Sequence, residues 1–166
     1  MEVKAACGTA RPHLPSSSTG LDQEMLADFL TRDHRHCDER FVAAERAVAQ
    51  RDWDAASAAL ESFVAATERH LRREEDILFP AFEQQTGMTT GPTAVMRMEH
   101  EQMRRLMASL AQAVAACDRS EFLGVAETLL MLMQQHNTKE ESILYPMAER
   151  ALAAGSGELL QRIETS

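Results

Sequence analysis

Apolar residues recur along this chain in steps of three and four, the spacing of one face of an α-helix. Four such rows can be traced. The first runs Leu26, Leu30, His34, Cys37, Phe41, Ala44, Val48, and the second Ala56, Leu60, Phe63, Thr67, His70, Glu74, Ile77, Ala81. The third is Met96, His100, Met103, Met107, Leu110, Val114, Cys117, and the fourth Phe122, Ala126, Leu129, Met133, His136, Glu140, Ile143, Met147. They predict helices near 21–50, 52–79, 92–117 and 120–149, with breaks at Arg51-Asp52, at Thr86–Pro92 and at Asp118-Arg119-Ser120. Four long helices with short connections predict an all-α fold, an antiparallel up-down-up-down four-helix bundle. Residues 1–20, with two prolines, two glycines and three consecutive serines, predict a flexible, disordered leader. The remainder, 21–166, is expected to be one domain, ending in a short fifth helix near 157–163 after Gly155-Ser156-Gly157.

The rows repeat. Sliding the chain on itself by 66 positions lays the segment from His70 to Pro80 on that from His136 to Pro146, with six of eleven residues identical. The same shift carries Asp33-His34 onto Glu99-His100. The chain therefore reads as two similar helix pairs, about 21–85 and 90–150, each with a His on its first helix and an HxxxE on its second.

Those His and Glu occupy seam positions, where a bundle ordinarily places Leu, Ile or Ala. An ionised carboxylate in an apolar interior without a partner costs several kcal/mol at least, and an unpaired imidazole loses its bonds to water. A metal centre compensates all six groups at once. In HxxxE the two side chains lie about 400° apart around the helix, so both can reach one centre. Each half supplies two imidazoles and one carboxylate, which fits two metals with Glu74 and Glu140 between them. Nitrogen and oxygen ligands without thiolate suit iron, with manganese possible and zinc a competitor. The other histidines differ: His36 is turned about 200° from His34 and His13 lies in the leader, so both are expected to be solvated. Cys37, Cys117 and the methionines Met96, Met103, Met107, Met131 and Met133 are expected to pack as core. Glu75, Asp76 and Glu141 are expected on a solvated acidic face, with a bond to a ligand His as the alternative, and Pro80 and Pro146 at a helix end or kink.

With 17 Lys and Arg against 26 Asp and Glu, the net charge is −9, which argues against a nucleic-acid or anionic-membrane partner. Three widely spaced cysteines with no CxxC pair outline neither a disulfide framework nor a zinc ribbon. The N-terminal residues show no secretory signal, and the most apolar stretch, LGVAETLLMLM, is interrupted by Glu127. A cytoplasmic protein is expected.

With Asp33-His34, HLRRE at 70–74, Glu99-His100, and HNTKE at 136–140 followed by ILYP, the chain resembles the hemerythrin-like (HHE cation-binding) domains. It is most similar to the branch of bacterial di-iron proteins that repair iron centres. The resemblance covers about residues 21–150. It implies a four-helix bundle with a non-haem di-iron centre sharing an oxo or hydroxo bridge, His34 and His70 on one iron, His100 and His136 on the other, and Glu74 and Glu140 bridging. The resemblance extends to the oxygen-carrying hemerythrins, but these have a fifth His one turn after the third-helix ligand, where this chain has Arg104, and space their last carboxylate at the position of Glu141. The repeat favours Glu140. With two imidazoles on each iron, both metals are expected to keep an open position. The implied function is binding or sensing of oxygen or nitric oxide, in a stress response or in iron–sulfur centre repair with a redox or iron–sulfur protein partner. A di-iron oxidoreductase of peroxidase or NO reductase type and an iron-handling or storage bundle are the alternatives. The first reading makes the chain a metal-binding protein rather than an enzyme.

Overall fold

The computed structural model describes residues 25–166; the leader, with Cys7 and His13, lies outside the described residues. Helix α1 spans Leu26–Gln50. Helix α2 spans Trp53–Arg72 and continues through a π-helical turn, Arg73–Leu78, into α3 (Phe79–Thr86). Helix α4 spans Pro92–Ala115, and α5 (Arg119–Lys139) continues through a second π turn, Glu140–Leu144, into α6 (Tyr145–Leu152). A 3-10 turn, Ala153–Gly155, leads to the short α7, Ser156–Glu164. The described residues contain no strand, and the four long rods pack as a bundle. None of the described helices is long and apolar enough to cross a membrane.

The two tight reversals are the same turn used twice. Arg51 ends α1 in the left-handed conformation (φ 60°), and Cys117, 66 positions later, follows α4 at φ 51°. Asp52 then donates its N–H to Ala47 O at 3.1 Å and caps α2 by accepting from Ala55 N at 3.1 Å. Asp118 repeats both bonds, to Ala113 O at 2.9 Å and from Glu121 N at 3.0 Å. These bonds satisfy backbone groups that helix ends leave open. They also correct the third row. Cys117 is exposed, because it is the residue that turns the chain rather than a member of the core.

The seams hold as far as Glu74 and Glu140 and then slip by one residue. Phe79 N–H bonds to Glu74 O, and Tyr145 N–H to Glu140 O, five residues apart instead of four. Each extra residue advances the buried face, so Leu78, Phe79 and Phe82 are buried while Ile77 and Ala81 are only half-buried. Likewise Leu144, Tyr145 and Ala148 are buried, whereas Ile143 is 54% exposed and Met147 half-buried. Pro80 and Pro146 therefore do not end their helices, which run on to Thr86 and Leu152. A proline lacks the N–H and crowds the preceding carbonyls, and the widened turn just before it relieves both constraints.

Two apolar clusters fill the bundle. One gathers Phe41, Phe63, Met103, Met107, Leu110, Phe122, Leu129 and Met133. The other gathers Leu30, Leu78, Phe79, Phe82, Tyr145 and Ala148 under Leu159, Leu160 and Ile163 of α7. Each such side chain contributes about 1.5–3 kcal/mol on burial. Met131 is the exception among the expected core methionines. At 55% exposure it faces outward, two residues from the seam position Met133.

The turns make a direct prediction. Asp118→Ala removes a cap and should lower stability by about 1 kcal/mol, whereas Cys117→Gly relieves the left-handed strain and should leave stability unchanged or raise it by up to about 1 kcal/mol. Urea denaturation of the two variants checks the opposite signs.

Candidate metal centre

His34, His70, Glu74, His100, His136 and Glu140 meet between the two apolar clusters, each no more than 4% exposed. Potential ligand atoms of His34, His70, Glu74 and Glu140 all lie within 4.8 Å of one another, and so do those of Glu74, His100, His136 and Glu140. The two groups share both carboxylates. His34 Nε2 lies 3.2 Å from Glu140 Oε2 and His136 Nε2 lies 3.1 Å from Glu140 Oε1, so opposite oxygens of Glu140 face opposite halves. Glu74 Oε2 stands between His70 Nε2 at 3.5 Å and His100 Nε2 at 3.4 Å. Several of these atoms are buried without a hydrogen-bond partner: both ring nitrogens of His70, Glu74 Oε2 and Glu140 Oε1. Such orphaned groups are costly, and a cation among them removes the cost.

The four imidazoles share one orientation. Every Nε2 points inward, and every Nδ1 points to an acidic side chain. His34 Nδ1 lies 2.8 Å from Glu141 and His100 Nδ1 lies 2.8 Å from Glu75, and these pairs are related by the 66-residue repeat. His136 Nδ1 lies 2.9 Å from Glu99 Oε2, and Lys139 holds the other oxygen, Oε1, of the same carboxylate. The equivalent Asp33 Oδ2 is 3.6 Å from His70 Nδ1 and takes a 2.5 Å bond from Arg73. Holding the Nδ1–H of His34, His100 and His136 against an acidic acceptor leaves the Nε2 lone pair for a cation, the arrangement that orients metal-ligating histidines, and Asp33 stands just beyond hydrogen-bond reach of His70 in the same place. Glu75 and Glu141 are thus not merely solvated surface acids but the partners of His100 and His34.

Where the oxygen carriers place a fifth His, Arg104 does not reach inward. It forms two 2.9 Å bonds to Glu75 and holds Glu68 and Glu101 as well. Burial would raise the Glu75 carboxyl, but bonds from His100 and Arg104 hold it down at about 2. The first half has Asp38 at the place equivalent to Arg104, and there burial pushes the carboxyl up, His34 pulls it down and Glu141 adds to the rise.

Burial disfavours a charged His34, yet Glu140, Glu74 and Glu141 outweigh it and raise its pKa to about 9. His100 behaves alike, with Glu74, Glu75 and Glu140 overcoming burial to give about 9. Burial also opposes ionisation of Glu140, but His136 and His34 hold its pKa well below the ordinary value. Tyr145 completes the centre. Its hydroxyl lies 2.7 Å from Glu74, 3.1 Å from Glu140 and 3.2 Å from His34, and burial followed by the two carboxylates keeps the phenol protonated.

The profile of the hemerythrin HHE cation-binding domain matches residues 25–148. The chain belongs to that family. Among curated proteins, this hemerythrin-like chain is similar to the iron-sulfur cluster repair protein YtfE of Edwardsiella ictaluri, 32% identical over 99 residues, 54% of this chain and 44% of that protein. It is also similar to the YtfE proteins of Yersinia pseudotuberculosis (30% over 104 residues, 57% and 47%) and Salmonella schwarzengrund (30% over 89 residues, 48% and 40%). The match thus spans less than half the length of each relative. No solved structure matches the chain at a comparable level.

The structure brings together all six residues expected at the site of this hemerythrin-like chain. His36 is exposed, as its phase on α1 predicts. Three features were not assigned from the sequence: the carboxylates Asp33 and Glu99 behind His70 and His136, the cations Arg73 and Lys139 behind those, and Tyr145. The first two sets were detectable, since the repeat carries Asp33 onto Glu99 and Arg73 onto Lys139. Tyr145 was not, because its repeat partner is Phe79 and the π turn that aims it leaves no periodic trace.

Two outcomes are expected. At neutral pH, below the raised values of His34 and His100, a cation entering either group must expel a proton. Affinity should therefore rise by at least about tenfold per pH unit at each site from pH 6 to 9. A competition titration with zinc across that range checks this, and a flat profile contradicts it. Removing the brace in Arg104→Ala should weaken metal retention about 10–100-fold by freeing Glu75 from His100's side, read by the same titration, with Arg104→Lys recovering only part.

Proposed function

We propose that the chain is a non-haem di-iron protein that binds a small diatomic molecule, oxygen or nitric oxide, in the service of iron–sulfur centre repair or the response to nitrosative stress. One observation carries the two-metal part: the two four-residue groups overlap in Glu74 and Glu140, so each carboxylate can serve both halves. His34 and His70 would hold one iron and His100 and His136 the other, with Glu74 and Glu140 between them. Imidazole and carboxylate without thiolate favour iron over softer metals, with manganese or zinc as competitors for the same ligands. Iron held there supplies affinity for diatomic ligands and one-electron redox chemistry.

The rest is the work of the chain. Asp33, Glu75, Glu99 and Glu141 orient the four rings, and the two apolar clusters exclude bulk water. Beside the site, Leu71, Met103, Met133, Cys37 and Thr67 line a cavity of about 10 Å³ together with His34, His70 and His136. That is close to the space of a single water, so only the smallest molecules could approach the ligands from this side without displacing side chains. The role in repair, and with it an iron–sulfur protein as partner, draws its support from the names of the similar proteins, and a redox partner is part of the same proposal.

Purified protein reconstituted with ferrous iron under anaerobic conditions should hold two irons per chain. His34→Ala, His70→Ala, His100→Ala and His136→Ala should each lose metal, while His36→Ala should lose none. A reproducible single iron per chain, or metal loss in His36→Ala, overturns the assignment.

A further inference from the structure

The 66-residue repeat gives the site a near two-fold symmetry, broken beside it at Cys37 against Met103 and Thr67 against Met133 and, over the imidazoles themselves, at Phe79 against Tyr145. Phe79 stacks on His100 with ring centroids 5.7 Å apart and planes at 21°, and its equivalent Tyr145 stacks on His34 at 5.8 Å and 23°. The rings match; the difference is the Tyr145 hydroxyl. It lies 2.7 Å from Glu74 Oε1, 3.1 Å from Glu140 Oε2 and 3.2 Å from His34 Nε2. Glu74 and Glu140 belong to both ligand groups, and His34, the one imidazole the hydroxyl touches, belongs only to the first. Ligand atoms at right angles on a metal with bonds of about 2.1 Å lie about 3 Å apart. The phenol oxygen is thus spaced from its three neighbours as one ligand atom is from the others. One phenolic proton can be donated squarely to only one of the two carboxylates, and the lone pairs of the oxygen stay available to a further partner.

We propose that Tyr145 Oη is a fifth protein ligand of the metal held by His34 and His70. The bond formed is from Oη to the metal, and the phenolic proton, donated to Glu74 in the structure, leaves to solvent. Phe79 can make no such bond on the other side. The two metals are then unequal: the His34–His70 metal gains a protein ligand, and the His100–His136 metal is the one left open to an external molecule. This replaces the expectation of two equally open irons.

The inference rests on the two-metal reading, and one experiment separates the two. Full-length wild type and Tyr145→Phe are loaded with ferrous iron, oxidised in air, and compared by iron content, visible absorption and resonance Raman scattering. Wild type should hold two irons and show an intense phenolate-to-ferric charge-transfer band with phenolate ring modes. The chain has one tyrosine, so no other residue can be the source. Tyr145→Phe, which copies the Phe79 side, should lose the band and release one iron about tenfold faster or more. Two irons in wild type without a phenolate band overturn the tyrosine ligand and leave the two-metal reading standing; the wild-type spectrum decides this even if the variant misfolds. Fewer than two irons in wild type overturn both.

Discussion

Glu74 and Glu140 have no exposed surface, and four imidazoles crowd around them at the level where the bundle core would otherwise be continuous. Everything else in the structure is arranged around that constraint. Six polar groups in a dry interior must be neutralised and hydrogen-bonded, or they would consume most of the 5–15 kcal/mol by which a domain of this kind is stable. The answer is layered. Inward atoms converge for a cation, outward ring nitrogens meet acids, and Arg73, Arg104 and Lys139 hold three of those acids at the rim. Apolar clusters on either side then carry the packing that the central layer cannot.

The π turns are the local cost of this arrangement and part of its mechanism. They begin at or beside the buried glutamates and end just before an aromatic residue followed by proline. In an uninterrupted α-helix, Leu144 would stand one turn below Glu140, where it could only pack. The added residue puts Tyr145 there instead, with its hydroxyl against both carboxylates. A single backbone bond from residue i to i+5 thus converts an apolar position into a polar one.

This explains which parts were legible in the sequence. Positions governed by period and duplication could be read: the four rows, the Arg51 and Asp118 reversals, and all six residues brought together at the site. Residues governed by a break in the period could not. Ile77, Ile143 and Met147 continue an ideal α-helical row and are displaced by the slip, while Leu78, Leu144 and Tyr145 take their places. Cys117 belonged to the row by spacing but to the turn by conformation. Glu75 and Glu141 looked like surface because a half-exposed acid reaching under a ring has the same sequence pattern as a solvated one.

Duplication supplies symmetry, and departures from it show where the halves can differ in chemistry. Around the site the repeat preserves His, Glu, the acid behind each ring and, as Arg73 and Lys139, the cation behind one acid in each half. It departs at Cys37 against Met103, at Thr67 against Met133 and, among the residues bonded to the ligands or to their acids, at Tyr145 against Phe79 and at Arg104 against Asp38. The last two departures have the same direction. On the His100 side, Arg104 pins Glu75 and leaves an apolar ring over the imidazole; on the His34 side the acid is less braced and a hydroxyl enters the ligand cage. The rigid half is therefore the one without an oxygen donor from an aromatic ring, and the half that has this donor has the looser outer shell. A site meant only to store two equivalent ions would gain nothing from such a division, whereas a site that must bind a small molecule at one metal needs the other to be held by the protein.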